Sequence, residues 1–244
     1  MMGKEKLLQE ILEYLAEASY KGDTSASLRN KKQMLYQYVE FAGEEGYSLE
    51  LVKKFFFSFT ERHLKRNTIR TAVRLLTTFT KYLFKKKILD SDFSDQFVMP
   101  REEFKEFHLL SMEMTEKAIF AGTKPGPGDN SRNQNIKLNE CRPGLQFILR
   151  TGLRNFELRN IKGSDLELDG ETPRVRIHSK GGRSEYIPVP MDMLEFLKLR
   201  QNRDRVFCVS AELLNTAIKR GCTKLGVHTI NVHDLRHTFA IHLL

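Results

Sequence analysis

The stretch that decides the fold is TGLRNFELRNIKG, residues 151–163, read with the three extended runs that follow it to residue 189. Upstream, Leu145, Phe147, Ile148 and Leu149 form an apolar helical run, with Pro143 expected in its first turn. Gly152 supplies a left-handed residue that ends this helix, and a second short helix begins within Asn155–Gly163. Arg154 is therefore expected on a turn between two helices, with Glu157 three residues on. Strand-like runs follow at Asp165–Leu168, Val175–His178 and Glu185–Val189. Asp169-Gly170 and Gly181-Gly182 read as hairpin turns, which puts Lys180 at the tip of the second hairpin. Helices resume over Met191–Gln201, from a Ser210 cap to about Arg220, and from about His233 to Leu244.

On the N-terminal side the pattern is helical. A run from Lys4 to Tyr20 carries Leu7, Leu8, Ile11, Leu12 and Leu15 and stops at Gly22-Asp23-Thr24. A second starts near Ser25 or Ser27 and stops at Gly43–Gly46. A third is capped by Ser48 and carries a Phe-rich core stripe. A fourth is expected from an Asn67 cap to about Lys86. Between Leu89 and Leu110 the periodicity fails, as it does in the turn formers of 122–135, which read as a surface loop. The expected fold is mainly α with a small antiparallel β-sheet (α+β), in two domains. Residues 1–90 form an all-helical domain, 91–110 a linker, and 111–244 an α+β domain incomplete at its C-terminus.

The chain has 244 residues, 40% hydrophobic, with 40 Lys and Arg against 31 Asp and Glu. That composition excludes a disordered or collagen-like chain. No run approaches the roughly 20 apolar residues needed to span a bilayer, and no signal-peptide pattern opens the chain, so a cytoplasmic location is expected. Cys141, Cys208 and Cys222 form no CxxC pair and read as small core residues.

The charge is concentrated between Glu61 and Lys87, where nine basic residues meet one acid. At about 100° per residue, Arg66, Arg70, Arg74, Thr77, Lys81 and Lys85 fall on one side of the fourth helix, opposite Ile69, Ala72, Leu76, Phe79 and Leu83. Such a stripe, extended by Lys65, suits a helix laid along a phosphate backbone; a solvated basic face accounts for it equally well.

HDLRH, residues 233–237, has two chemical readings beyond simple helix capping. His233 and His237 at i and i+4 look like an Asp variant of the HExxH zinc motif, but Arg236 would crowd the cation and no third ligand is evident. Alternatively His233 and Arg236 converge on an anion, the guanidinium offering a planar fork to two phosphate oxygens.

Taken in order, TGLRNFEL, the lysine of IHSKGGRSEYIPV and HDLRHTFAIHLL resemble the catalytic domain of the tyrosine recombinases, the phage-integrase and Xer-type family. The basic helical domain ahead of them is similar to that family's core-binding domain. The resemblance implies that Arg154 and Arg236 grip a scissile DNA phosphate, that Lys180 protonates the 5′-oxygen leaving group, and that His233 hydrogen-bonds the phosphate. It makes Glu157 an orienting residue, and Lys65, Arg66, Arg70, Arg74, Lys81 and Lys85 the DNA-binding set. It implies strand transfer through a 3′-phosphotyrosyl intermediate, with neither metal nor cofactor. The implied partners are duplex DNA at a specific site and other copies of the chain, four on DNA; accessory proteins are left open.

The seven tyrosines (Tyr14, Tyr20, Tyr36, Tyr38, Tyr47, Tyr82, Tyr186) all precede His233, whereas the family's nucleophile follows that helix. The expectation is a truncated product of a longer recombinase, monomeric in solution, that binds DNA and does not cleave it. The alternative is a naturally short, non-catalytic DNA-binding regulator derived from a recombinase.

Overall fold

The computed structural model describes residues 3–102, 109–124, 132–179 and 182–243, the side chains of 132–137 and 139 excepted. The chain divides into two compact units, Met1–Lys105 and Glu106–Leu244.

The first unit holds α1 (Lys4–Tyr20), α2 (Ser25–Ala42), α3 (Leu49–Glu61) and α4 (Arg66–Lys85). Thr24 and Ser48 cap α2 and α3, their hydroxyls accepting from the backbone N–H groups of Ser27 and Leu51. The apolar stripes of all four helices meet in one core, in which Leu7, Ile11, Leu35, Tyr38, Phe55, Phe59, Phe79 and Leu83 are almost wholly enclosed. Helix α4 starts at Arg66, with Lys65 as cap residue, and not at an Asn67 cap. The Thr68 and Ile69 N–H groups already bond the Lys65 carbonyl, so Asn67 lies inside the first turn. The expected linker also begins too early, because Phe93 and Phe97 stack edge to face with each other and pack on this core. Residues 103–108 of that linker lie outside the described residues.

The second unit contains α5 (Met112–Thr123), α6 (Arg132–Thr151), α7 (Asn155–Asn160), β1 (Leu166–Glu167), β2 (Arg174–His178), β3 (Ser184–Pro188), α8 (Leu194–Lys198), α9 (Ala211–Leu225) and α10 (Val232–His242). The strands form an antiparallel sheet in sequence order, with Val175 facing Ile187 and His178 facing Ser184. Val175 and Ile177 point from β2 into the core, where Leu145, Phe147, Ile148 and Leu149 of α6 are fully enclosed. Helices α5 and α9 touch backbone to backbone. A Cβ on Gly122 would overlap the Ala217 carbonyl, and one on Gly221 the Ala118 carbonyl.

Several boundaries differ from expectation. Helix α6 begins at Arg132, inside the stretch read as a surface loop, so Pro143 lies in the helix interior. The enclosed apolar half of α6 outweighs the backbone bond that the proline removes. Residues 125–131 of the expected loop lie outside the described residues. Strand β1 has two residues because Asp165 belongs to a 3-10 turn, and only Leu194–Lys198 of the expected 191–201 helix is α-helical. Helix α9 runs on to Leu225, and α10 starts one residue before His233, capped by Asn231. Cys208 is exposed, contrary to its reading as a core residue. Among the described residues no helix is long and apolar enough to cross a membrane.

Candidate functional site

Arg154 is the residue at which the chain leaves the Gly152 turn and enters α7. Glu157, three residues on, is only 3% exposed, and its two carboxylate oxygens do separate work. Oε2 accepts the Arg154 backbone N–H at 2.8 Å, satisfying a donor at the helix start, and Oε1 accepts the Arg154 guanidinium at 2.9 Å. Burial pushes the Glu157 carboxyl up, but the Arg154 backbone, the Arg154 guanidinium and the Ser179 hydroxyl outweigh it and hold it below its ordinary value. The Arg154 side chain is 58% exposed, so the guanidinium is aimed by a buried anion while its outer edge meets solvent.

Arg236 reaches the same turn from α10. Its Nη1 donates to the Gly152 carbonyl at 2.5 Å, two residues before Arg154. Gly152 has φ +67°, and a Cβ there would overlap the ring of Phe239, the α10 residue one turn beyond Arg236. The glycine therefore serves both the left-handed turn and the close seating of α10. His233 lies three residues before Arg236 with its imidazole exposed and its backbone N–H accepted by Asn231. Its ring meets that of His237 edge to face at 4.7 Å. No group of three or more metal-ligating side chains occurs among the described residues.

Lys180 lies outside the described residues. The base of its hairpin is described: the Ser179 N–H bonds the Arg183 carbonyl, and the Ser179 hydroxyl lies 3.2 Å from Glu157 Oε1. Asp165, 2% exposed, anchors the neighbouring position. Its Oδ2 accepts the Lys162 N–H, and its Oδ1 faces His178 Nε2 at 3.0 Å and Arg176 at 3.2 Å. Sequence reasoning missed both anchors. Nothing in the linear pattern pairs residue 179 with 157 or 178 with 165.

In the first unit, Lys65, Arg66, Arg74, Lys81 and Lys85 are exposed as expected. Arg70 is not. Its side chain is 13% exposed, donating to the Pro100 carbonyl at 2.5 Å and lying 3.6 Å from Glu102. Beside the stripe, α2 and α4 flank an open cleft of ≈ 890 Å³, lined by Asn30, Gln33 and Gln37 on one side and by Asn67, Thr71 and Arg74 on the other.

The model of the phage integrase family matches residues 129–244, which contain Arg154, Glu157, Asp165, His178, His233 and Arg236. Residues 129–244 match the phage integrase family, and the whole chain is similar to tyrosine recombinases. Tyrosine recombinase XerC of Bacillus pumilus (strain SAFR-032) is 26% identical over 269 aligned residues, spanning 100% of this chain and 85% of that relative. Among solved structures, XerH site-specific recombinase bound to difH substrate superposes with a TM-score of 0.72 at 17% identity, covering 100% of this chain and 87% of that one. A λ integrase tetramer bound to a Holliday junction gives 0.72 at 15% identity, over 96% and 72%. At those identities the likeness is one of fold, and it spans residues of both units.

Proposed function

We propose that this chain grips duplex DNA in the manner of a site-specific recombinase, with Arg154 and Arg236 holding the non-bridging oxygens of one scissile phosphate. The observation that carries the reading is the Arg236–Gly152 bond, which joins α10 to the turn bearing Arg154. Arg154 on the turn and Arg236 bonded to that turn from α10 offset charge as it develops on a pentacoordinate phosphorus. His233, exposed on the same helix, donates to the phosphate. Lys180 is the general acid that protonates the departing 5′-oxygen. Glu157 aims Arg154.

The first unit supplies the duplex contacts. Lys65, Arg66, Arg74, Lys81 and Lys85 meet phosphates, while the amide and hydroxyl side chains of the α2–α4 cleft suit hydrogen bonding to base edges. The XerH structure bound to difH substrate and the λ integrase tetramer bound to a Holliday junction support this reading. Strand transfer in this family uses a tyrosine beyond the His233 helix, and these 244 residues carry none there. The 244 residues are therefore expected to bind duplex DNA without forming a covalent adduct.

The test is duplex-DNA binding over a range of salt concentrations, followed by denaturing electrophoresis. Arg154→Ala and Arg236→Ala should each weaken binding by about tenfold and lower the salt slope by about one. Unchanged binding in both variants, or an adduct that survives denaturation, would refute the assignment.

A further inference from the structure

The Ser179 hydroxyl stands between two carboxylates, 3.2 Å from Glu157 Oε1 and 3.3 Å from Glu185 Oε1. A hydroxyl has one proton to donate, so it satisfies one of them at a time. Glu157 is buried and Glu185 exposed, and an ionised carboxylate shut away from water depends on protein donors far more than one that water can reach. The proton therefore belongs on Glu157. There it shares Oε1 with the Arg154 guanidinium, while Oε2 is occupied by the Arg154 backbone N–H.

Without that hydroxyl, Oε1 would keep only the guanidinium of a side chain more than half exposed, and the carboxylate would be free to rotate about its helix-capping bond. We propose that Ser179 is a positioning residue for Arg154, fixing through Glu157 the direction in which the guanidinium is presented and tying that direction to the β2–β3 hairpin. The same arrangement recurs one residue earlier, where His178 meets a buried carboxylate, Asp165, whose other oxygen caps its own turn. Two consecutive hairpin residues are thus clamped to two buried anions. The proposal rests on the reading that Arg154 holds a DNA phosphate.

The experiment uses the 244-residue chain and three variants, Ser179→Ala and the isosteric pair Ser179→Thr and Ser179→Val, which differ from each other by the hydroxyl. Two quantities are read. One is hydrogen exchange and relaxation at the Arg154 Nε–Hε group by NMR, assigned with Arg154→Lys; the other is affinity for a fluorescein-labelled duplex. Loss of the hydroxyl in the Ala and Val variants should speed Arg154 side-chain exchange and weaken DNA binding by about threefold, with Thr retaining wild-type behaviour in both. Comparison of Thr with Val keeps the test decisive if the Ala variant folds poorly.

An Arg154 signal that is the same in the Thr and Val variants overturns the proposal. So does an Arg154 signal that loosens while affinity holds, provided that Arg154→Ala itself weakens binding. If Arg154→Ala leaves affinity untouched, the phosphate assignment of Arg154 falls, and the NMR comparison still decides whether Ser179 orients it.

Discussion

Arg236 donates a guanidinium N–H to the carbonyl oxygen of Gly152, 84 residues earlier in the chain. The bond is made by a main-chain oxygen, so it reads the path of the backbone at the turn and not the identity of a side chain. It fixes where α10 stands relative to Arg154, provided that residue 152 leaves room for Phe239.

Gly152→Ala combines a left-handed φ of +67° with overlap against the Phe239 ring. It should cost about 3 kcal/mol, the sum expected for a non-glycine residue in that conformation and an overpacked contact. Chemical unfolding checks this. Adding Phe239→Leu should recover the packing part and leave the backbone part, which a double-mutant cycle separates.

Arg70 and Arg74 should behave differently although they are one turn apart. Arg74→Ala is expected to lower DNA affinity and reduce the salt slope by about one, with little effect on melting. Arg70→Ala removes the bond to Pro100 and should destabilise the first unit by about 1 kcal/mol, with a smaller effect on the salt slope. Paired salt titrations and thermal melts distinguish the two.

Acid should loosen the β2–β3 hairpin. Burial pushes the Asp165 carboxyl up, but the Lys162 N–H, His178 and Arg176 together hold it below its ordinary value, and Glu157 is likewise depressed. A depressed carboxylate contributes stability that is complete above its unfolded value, near ~4, and is lost as pH falls through the folded value. Urea unfolding at a series of pH values should therefore show a steep loss on the acid side that Asp165→Asn flattens. An identical acid limb in wild type and variant would contradict the assignment.

Chelation should change nothing. Binding to duplex DNA in excess EDTA is expected to match binding without it, and elemental analysis of the purified chain should find no stoichiometric zinc at His233 and His237. Retained stoichiometric zinc would revive the hydrolase-like reading of HDLRH.

Much of this was legible from the residues, for identifiable reasons. Helices α1 to α3 follow from stripes of Leu and Phe bounded by Gly-containing breaks and, at α3, by the Ser48 cap. The Arg154 turn follows from a glycine after an apolar run, and the hairpins from Gly-containing turns between β-branched runs. Other features depend on what folds over a helix and not on the helix itself. A helical wheel places Arg70 on the basic side correctly in angle, but it carries no information that residues 100–102 will cover that position. The start of α6 was hidden because turn-forming residues were recruited into a helix whose far half is buried. Ser179 and Asp165 stayed silent because their partners lie across the fold.

The hold of Arg70 on Pro100 also has a mechanical side. A pull on residues 100–102 is passed to α4, the same helix that presents Arg66, Arg74, Lys81 and Lys85. Strain in that segment thus arrives at the basic helix through a guanidinium and a carbonyl.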